Sequence, residues 1–215
     1  NVEMIENNFL KLINTMPKNS KVLINENKVS NSFKDSLNRE YFDATIELLS
    51  LDTKNIHEEN KLLAAHAIED ILPKDSVLKV LDGYIGVKRR FETIFEDKNF
   101  ELIDDFAHHP TAIEETIKMV REKTENLILI VEFGSNSMKK GIHDKSLLNI
   151  FRNQDTYMIN ASAEQGKIFL GQAKELTNND IAEICALDIK KKTILMCGNR
   201  DFQGFQKLIL DKLIK

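Results

Sequence analysis

The apolar run NLILIVEF, residues 126–133, constrains the fold of this chain more than any other stretch of its sequence. A continuous run of this kind is typical of a strand that is buried on both faces of a parallel sheet. Further strands are predicted at FELI, TYMINA and KTILMCG, and helical patterns lie between them. Strands that alternate with helices from about residue 98 onward predict a doubly wound α/β domain.

The first part of the chain shows a different pattern. It combines two short strand patterns, KVLIN and DATIELLSL, with amphipathic helical stretches, of which residues 58–72 form the strongest, closed by Pro73. No repeat or long linker separates this part from the α/β region. The glycine-bearing turn near Gly86 is the expected boundary, which gives domains of residues 1–86 and 87–215.

Composition excludes several classes of function. The net charge is −4 and charges of both signs are mixed along the chain, so no basic stripe for nucleic acid is present. Two cysteines, Cys185 and Cys197, provide neither a disulfide framework nor a CxxC zinc motif. No apolar run approaches the ~18 residues that a membrane span requires. A reducing, cytoplasmic setting is therefore expected.

Polar clusters follow three of the predicted strands. DDFAHH follows FELI, GSNSMKKGIH follows LILIVEF, and CGNRDFQG follows KTILM. In an open parallel sheet, ligands bind beyond the carboxyl ends of the strands, where helix N-termini also point. The sequence therefore predicts one cleft that all three clusters line.

The densest cluster, Asp104–His109, permits three interpretations. It is a polar turn that begins a helix at Pro110, a proton-transferring or carboxylate-binding substrate site, or a divalent-metal site with mixed Asp and His ligands. The segment GVKRRFE, residues 86–92, is similarly open, because its cations suit either a solvated edge strand or a phosphate.

Taken together, these segments resemble the Mur ligases, the ATP-dependent enzymes that join amino acids or peptides to UDP-N-acetylmuramic acid. The order and spacing of the matching blocks fit that family from about His57 to the C-terminus. SNSMKKG favours the peptidoglycan-recycling branch of the family over the L-alanine-adding branch. The blocks are GVKRRFE, DDFAHHPTAIEETI, EFGSNSMKKGIH and, more loosely, NIHEENKLLAAHAI and MCGNRDFQGFQKLI.

The resemblance implies the domain types. Residues 1–86 are expected to be the C-terminal part of the family's P-loop-type central ATPase domain, and residues 87–215 its Rossmann-like C-terminal domain. The phosphate-loop motif G-x-x-G-K-[ST] is absent from the 215 residues. The chain is accordingly expected to be a portion of a longer ligase that is inactive by itself.

The resemblance also implies the reaction, the cofactors and the partners. ATP and Mg²⁺ are expected to convert the carboxylate of UDP-N-acetylmuramate into an acyl phosphate. The tripeptide L-Ala-γ-D-Glu-meso-diaminopimelate then attacks it, in peptidoglycan recycling and cell-wall biogenesis. Small-molecule substrates are expected, without nucleic acid or membrane.

Residue roles follow from the matching motif positions. Arg90 is expected to reach the ATP phosphates, and Asp105 the ribose hydroxyls. His108 is expected to be catalytic as well as substrate-binding. The remaining expected residues are His57 and Asn60 near the adenine, and His109, Ser135, Asn136 and Lys139 at the peptide.

Two departures from the family pattern bear on these roles. Glu58 stands where the family has asparagine, and Phe133-Gly134 where the recycling branch has Pro-Arg. Lys139, Lys140 and Arg200 are the candidates to replace the missing arginine.

Alternative functions stay open at this point. They are an L-alanine-adding ligase, a non-catalytic binding protein of the Mur ligase type, and a metal-dependent hydrolase. The hydrolase would use Asp104, Asp105, His108, His109 and His143.

Overall fold

A computed structural model describes residues 2–84, 86–186 and 191–214 of the chain. It divides the chain into two units, Asn1–Tyr84 and Ile85–Lys215. This division lies close to the glycine-bearing turn that the sequence marks as a boundary. None of the helices in the described ranges is long and apolar enough to cross a membrane.

The first unit is built on a pair of parallel strands with helices packed on it. Leu10 and Ile13 of its first helix and Phe33 and Leu37 of its second form the buried core over the strands. Its elements are α1 (Val2–Asn14), β1 (Lys21–Asn25), α2 (Asn31–Arg39), β2 (Thr45–Leu49), α3 (Ile56–Ala67) and α4 (Lys74–Asp82).

The second unit contains a six-stranded sheet with the order β3-β4-β8-β5-β6-β7. All neighbouring pairs are parallel except β3 and β4, which are antiparallel at one edge. The prediction of a doubly wound α/β fold is confirmed. The strands are β3 (Glu92–Glu96), β4 (Phe100–Asp105), β5 (Leu127–Glu132), β6 (Asp155–Ile159), β7 (Ala173–Glu175) and β8 (Lys192–Cys197).

Helices cover both faces of this sheet, which explains the continuous apolar run of β5. Leu129 and Val131 face one helical layer, whereas Ile128 and Ile130 face the other. Because side chains alternate between faces along a strand, a strand buried on both faces is apolar at every position. The helices are α5 (Pro110–Arg121), α6 (Asn136–Lys139), α7 (Asp144–Phe151), α8 (Ala163–Ile168), α9 (Asn178–Ile184) and α10 (Phe205–Leu213).

Two predicted helices are shorter than their sequence patterns. The helix expected over residues 58–72 ends at Ala67, and Pro73 stands at the position directly before α4. The side chain of Glu69, just beyond α3, lies 3.4 Å from Lys21 Nζ. The helix expected over residues 178–189 ends at Ile184. The last residues of that sequence pattern, 187–189, lie outside the described residues.

Candidate functional site

The loops that carry the three polar clusters all leave the sheet at the edge that the carboxyl ends of its parallel strands form. β4, β8 and β5 are neighbouring parallel strands, so the loops that follow them lie side by side. β3 runs antiparallel to β4, and the turn that precedes β3 therefore lies at the same edge. β8 lies between β4 and β5. Because neighbouring strands are about 4.8 Å apart, the loops after β4 and β5 begin roughly 10 Å from each other. The clusters thus share this edge, and the expectation that they line one cleft stays a prediction.

Left-handed backbone conformations are concentrated at this edge. Such a conformation costs a residue with a Cβ atom about 1–2 kcal/mol, so surrounding contacts must hold it in place. Strained backbone of this kind is frequent at functional sites. In the described part of the chain, the non-glycine residues with positive φ are Arg89 and Phe91 before β3, Phe202 and Gln203 after β8, and Asn160 after the neighbouring strand β6.

Hydrogen bonds from β4 and its loop hold the turn that carries Arg90. The Phe106 N–H donates to the Arg89 carbonyl at 2.8 Å, and the Phe91 N–H donates to Asp105 Oδ2 at 2.9 Å. Arg89 and Phe91 have φ values of 59° and 55°. The residue between these two left-handed positions, Arg90, is left exposed to solvent.

Arg90 and His108 meet on a shared aromatic ring. The guanidinium carbon of Arg90 lies 5.0 Å from the centroid of the Phe106 ring. The His108 ring approaches the same phenylalanine edge-on, with centroids 5.2 Å apart, and His108 Nδ1 lies 2.9 Å from the Phe106 carbonyl oxygen. A stacked guanidinium keeps its planar N–H groups available for a phosphate or carboxylate.

The Asp105 carboxylate accepts hydrogen bonds from the backbone of two segments, the turn before β3 and the loop after β4. Its side chain accepts the Phe91 N–H at Oδ2 and the Ala107 N–H, at 2.7 Å, at Oδ1. The residue is only 8% exposed. The expected contact of Asp105 with the ribose hydroxyls stays a prediction.

His109 begins α5 and contacts a second histidine. Its Nδ1 accepts the Thr111 N–H at 3.4 Å, and Pro110 occupies the first turn of the helix. Its ring packs edge-to-face on His143, with centroids 4.5 Å apart. Burial lowers the pKa of His109, and electrostatic repulsion between its protonated ring and the neighbouring His143 and His108 lowers it further. The helix-capping interpretation of this cluster therefore holds for His109, which nevertheless lies beside a groove.

That groove has a volume of about 540 Å³ and runs between α5 and α7. Its walls offer groups of both charges together with amides and hydroxyls. Such a mixed lining suits a ligand that carries ammonium and carboxylate groups. The side chains with polar groups are His109, Thr111, Glu114, Lys118, His143, Ser146, Asn149, Asn153 and Gln154.

The loop after β5 carries the other residues expected at the peptide. Ser135 Oγ accepts the Met138 N–H at 3.3 Å and thereby caps α6. Asn136 and Lys139 are exposed on this short helix. Their position at the shared edge is compatible with peptide binding, which stays a prediction.

Glu132, at the end of β5, was not among the residues predicted from the sequence. It is 1% exposed, and its Oε2 accepts the Arg200 N–H at 3.0 Å. Burial raises the pKa of this carboxyl group, against the smaller lowering effect of its backbone hydrogen bonds. A single acidic residue at the end of the run LILIVEF is the sequence signal that identifies such a group.

His57 and Asn60 belong to the first unit and lie in the first turns of α3. Asn55 caps this helix by accepting the N–H groups of His57 and Glu58, each at 3.1 Å. The Glu58 carboxylate accepts the Lys54 N–H at 2.9 Å, so the residue that departs from the family pattern stabilises the helix start. The expected contact of His57 and Asn60 with adenine stays a prediction.

The residues of the metal-hydrolase alternative do not form a metal-binding group. Among the described residues, three His, Cys, Asp or Glu side chains with mutually close ligand atoms occur at Glu47, His66 and Glu69, in the first unit. Lys21 Nζ already lies 3.0 Å from the carboxylate of Glu47 and 3.4 Å from that of Glu69.

Comparison with known proteins settles the family. Residues 89–200, just over half of the chain, match the family model described as Mur ligase, glutamate ligase domain. The chain belongs to the Mur ligase family. The resemblance that the sequence motifs indicate is thereby confirmed. This Mur ligase chain carries the matched region in its second unit, where the candidate site lies.

The relatives are considerably longer than this Mur ligase chain. It is 29% identical over 182 residues to the UDP-N-acetylmuramate–L-alanyl-γ-D-glutamyl-meso-2,6-diaminoheptandioate ligase of Haemophilus influenzae. That alignment covers 74% of the chain and 38% of the relative. The chain thus spans well under half the length of this relative.

Solved structures share the fold. A murein peptide ligase from Psychrobacter arcticus is similar over 99% of the chain and 55% of its own length, with a TM-score of 0.64 and 23% identity. A MurF ligase from Thermotoga maritima, solved in complex with ADP, gives a TM-score of 0.74 at 12% identity. The similarity extends over 99% of the chain and 58% of the MurF ligase.

Proposed function

We propose that the intact protein containing this chain is an ATP-dependent ligase that joins L-Ala-γ-D-Glu-meso-diaminopimelate to UDP-N-acetylmuramate. In this proposal, residues 1–86 complete the central ATPase domain and residues 87–215 are the domain that presents the peptide. The observation that carries the proposal is the strained turn at Arg89–Phe91, which leaves Arg90 exposed beside His108. The printed name of the Haemophilus influenzae relative supports the choice of substrates.

The proposed reaction has two steps. The γ-phosphate of ATP passes to the muramoyl carboxylate, giving ADP and an acyl phosphate. The peptide amine then attacks the acyl carbon, and the tetrahedral intermediate collapses to an amide and inorganic phosphate. Both steps concentrate negative charge on phosphate oxygens, which cationic donors stabilise.

Arg90 is the residue of this chain that we assign to that charge. A guanidinium donates two parallel N–H bonds to a phosphate, and stacking on Phe106 limits the rotamers it must give up on binding. His108 contacts the same ring. Its proposed role is to orient the peptide amine and accept its proton.

The chain's own residues fit only part of the cofactor set. Arg90 suits a nucleotide phosphate, whereas the described residues of the second unit contain no cluster of three His, Cys, Asp or Glu side chains for a divalent cation. The phosphate-loop motif is also absent from the sequence. We therefore assign the cradle for ATP and Mg²⁺ to the remainder of the intact protein.

The groove between α5 and α7 is the proposed site of the distal part of the peptide. Its volume of about 540 Å³ falls within the range of ~300–1,000 Å³ that is usual for ligand pockets. Diaminopimelate carries an ammonium group and carboxylates, which match Glu114 and Lys118 in the groove lining. Free L-alanine would leave most of this groove unfilled.

An assay of the full-length protein tests this function. UDP-N-acetylmuramate, ATP and Mg²⁺ are supplied with either the tripeptide or L-alanine, and ADP release and product mass are measured. We expect tripeptide-dependent ADP release and the corresponding amide, and no activity from the 215-residue chain alone. Use of L-alanine alone would assign the L-alanine-adding reaction instead. No ADP release with either amine would indicate a non-catalytic binding protein.

A further inference from the structure

Arg89 and Arg90 are adjacent, but their surroundings differ. We infer that Arg89 is a positioning residue, which locks two loops of the site together and so fixes the direction of Arg90. The inference deepens the proposed function and depends on it only for its catalytic consequence. Arg90 is exposed, whereas the side chain of Arg89 is 31% exposed and bonded on several sides.

The Arg89 guanidinium bridges β4 and the loop after β8. Its Nε lies 3.2 Å from Asp104 Oδ2 and 3.3 Å from Oδ1, so it donates to this carboxylate. Its Nη2 donates to the Gly198 carbonyl at 2.9 Å. These two partners lie at the ends of adjacent strands, and one planar side chain therefore holds both.

Aromatic rings enclose the same guanidinium. Its central carbon lies 5.6 Å from the Phe106 centroid and 5.2 Å from that of Phe202. Phe106 is also the ring on which Arg90 lies. Lysine can pair with Asp104, but it cannot reproduce a planar donor held near two rings while bonding a carbonyl.

Asp104 extends this lock to a helix. It is 4% exposed, and its Oδ2 also accepts the Gln206 Nε2–H of α10 at 2.8 Å. A carboxylate buried this deeply requires its cationic partner, because an unpaired buried charge is strongly unfavourable.

The lock joins two turns with left-handed residues. One contains Arg89 and Phe91, and the other contains Phe202 and Gln203, with φ values of 54° and 52°. Neither pair contains glycine, so these conformations persist only where contacts enforce them. Arg89 contacts both turns, and the Gly198 N–H donates to the Asp105 carbonyl at 3.1 Å beside it.

The first test uses the 215-residue chain and needs no ligase activity. Amide hydrogen exchange is measured for wild type, Arg89→Lys and the control Arg152→Lys, which changes an exposed arginine. In Arg89→Lys we expect exchange to rise about tenfold or more at Phe91, Phe106 and Gly198, since a charged hydrogen bond to each turn is weakened. Exchange at Leu129 in β5 should stay unchanged, as should all sites in the control.

Two results would overturn the inference. Unchanged exchange at Phe91, Phe106 and Gly198 would show that Arg89 does not lock the turns. An equal increase throughout the second unit, Leu129 included, would show a general structural role without local positioning.

The second test uses the intact ligase. Arg89→Lys should lower kcat at least tenfold, the factor expected when a catalytic group is misplaced, while KM for the tripeptide stays within twofold. A KM effect without a kcat effect would contradict positioning of Arg90. If the wild-type protein itself shows no ligase activity, the proposed function fails, and the exchange measurement still decides the lock.

Discussion

The side chain of Arg200 occupies the space above Gly134. A Cβ atom on Gly134 would lie 2.7 Å from Arg200 Cγ and closer still to Asn199 Oδ1, the side chain that shares this space; non-bonded carbon atoms do not approach to 2.7 Å. Gly134 follows β5 and Arg200 follows β8, so an arginine from one strand end lies over a glycine of the next. Of the candidates to replace the arginine that the recycling branch has at position 134, this geometry favours Arg200 over Lys139 and Lys140.

We therefore expect Arg200→Ala to impair use of the tripeptide in the intact ligase. Loss of a guanidinium that pairs with a peptide carboxylate should raise KM for the tripeptide about tenfold or more, because charged hydrogen bonds contribute ~1.5–3 kcal/mol. Steady-state kinetics with varied tripeptide measure this. Lys140→Ala serves as the control with an equal change of charge, and an equal effect of both variants would rule out a specific role for Arg200.

His109→Ala is expected to act on the peptide rather than on ATP. The variant removes the ring that contacts His143 at the end of the α5–α7 groove. KM for the tripeptide should rise about three- to tenfold, as for loss of one ordinary contact of ~1 kcal/mol, with KM for ATP unchanged. Lys167→Ala, on the exposed surface of α8, is the control. An unchanged tripeptide KM would remove His109 from the peptide site.

Glu132 makes a pH-dependent contribution to stability. Burial raises the pKa of its carboxyl group in the folded protein above the ordinary value. Between the ordinary and the raised pKa the folded protein binds more protons than the unfolded chain, so this group lowers stability as pH rises. The Tm of Glu132→Gln minus that of wild type should therefore increase from pH 4.5 to pH 8. Glu164→Gln, at an exposed position, controls for the lost charge.

A difference in Tm that stays constant over this pH range would contradict that expectation. It would mean that Glu132 titrates alike in the folded and unfolded states. Glutamine retains a carbonyl oxygen for the Arg200 N–H, so the comparison isolates the ionisable proton.

Substitution of Gly198 by alanine tests how closely residues pack at the site, and the same substitution at Gly166 is its control. A Cβ atom at Gly198 would lie 2.7 Å from Glu132 Cβ and 2.9 Å from Phe202 Cε1, whereas one at Gly166 in α8 would meet no atom within 4 Å. Gly198→Ala should destabilise the chain by about 1–3 kcal/mol. Gly166→Ala should be neutral or stabilising by up to ~1 kcal/mol. Urea denaturation of the 215-residue chain measures both, and equal effects would refute the close packing at Gly198.

The sheet was predictable because a strand that is buried on both faces has a nearly continuous apolar sequence. Residues 127–131 and 194–197 are apolar at every position, so their strands could be placed without structural information. The short strand Ala173–Glu175 has no such apolar sequence. Its residues are partly or fully exposed, and its place at the edge of the sheet depends on pairing with β6.

The site was predictable at the level of loops but not of individual contacts. Motif position assigned roles to Arg90 and Asp105 but indicated no contacts for their neighbours Arg89 and Asp104. Their different environments arise from the left-handed turn before β3 and from partners distant in sequence, such as Gly198, 109 residues beyond Arg89. Contacts across such separations are set by the packing of strands rather than by local sequence.

The most direct test of the proposed chemistry is the tripeptide-dependent rate of ADP release by the intact ligase with Arg90 replaced. Arg90→Ala should lower kcat by about 100- to 1,000-fold, the usual effect of removing one donor to developing charge. Arg90→Lys should recover part of this loss, and binding of UDP-N-acetylmuramate should be unchanged in both variants. A kcat within threefold of wild type for Arg90→Ala would contradict the assignment of this arginine to the phosphate.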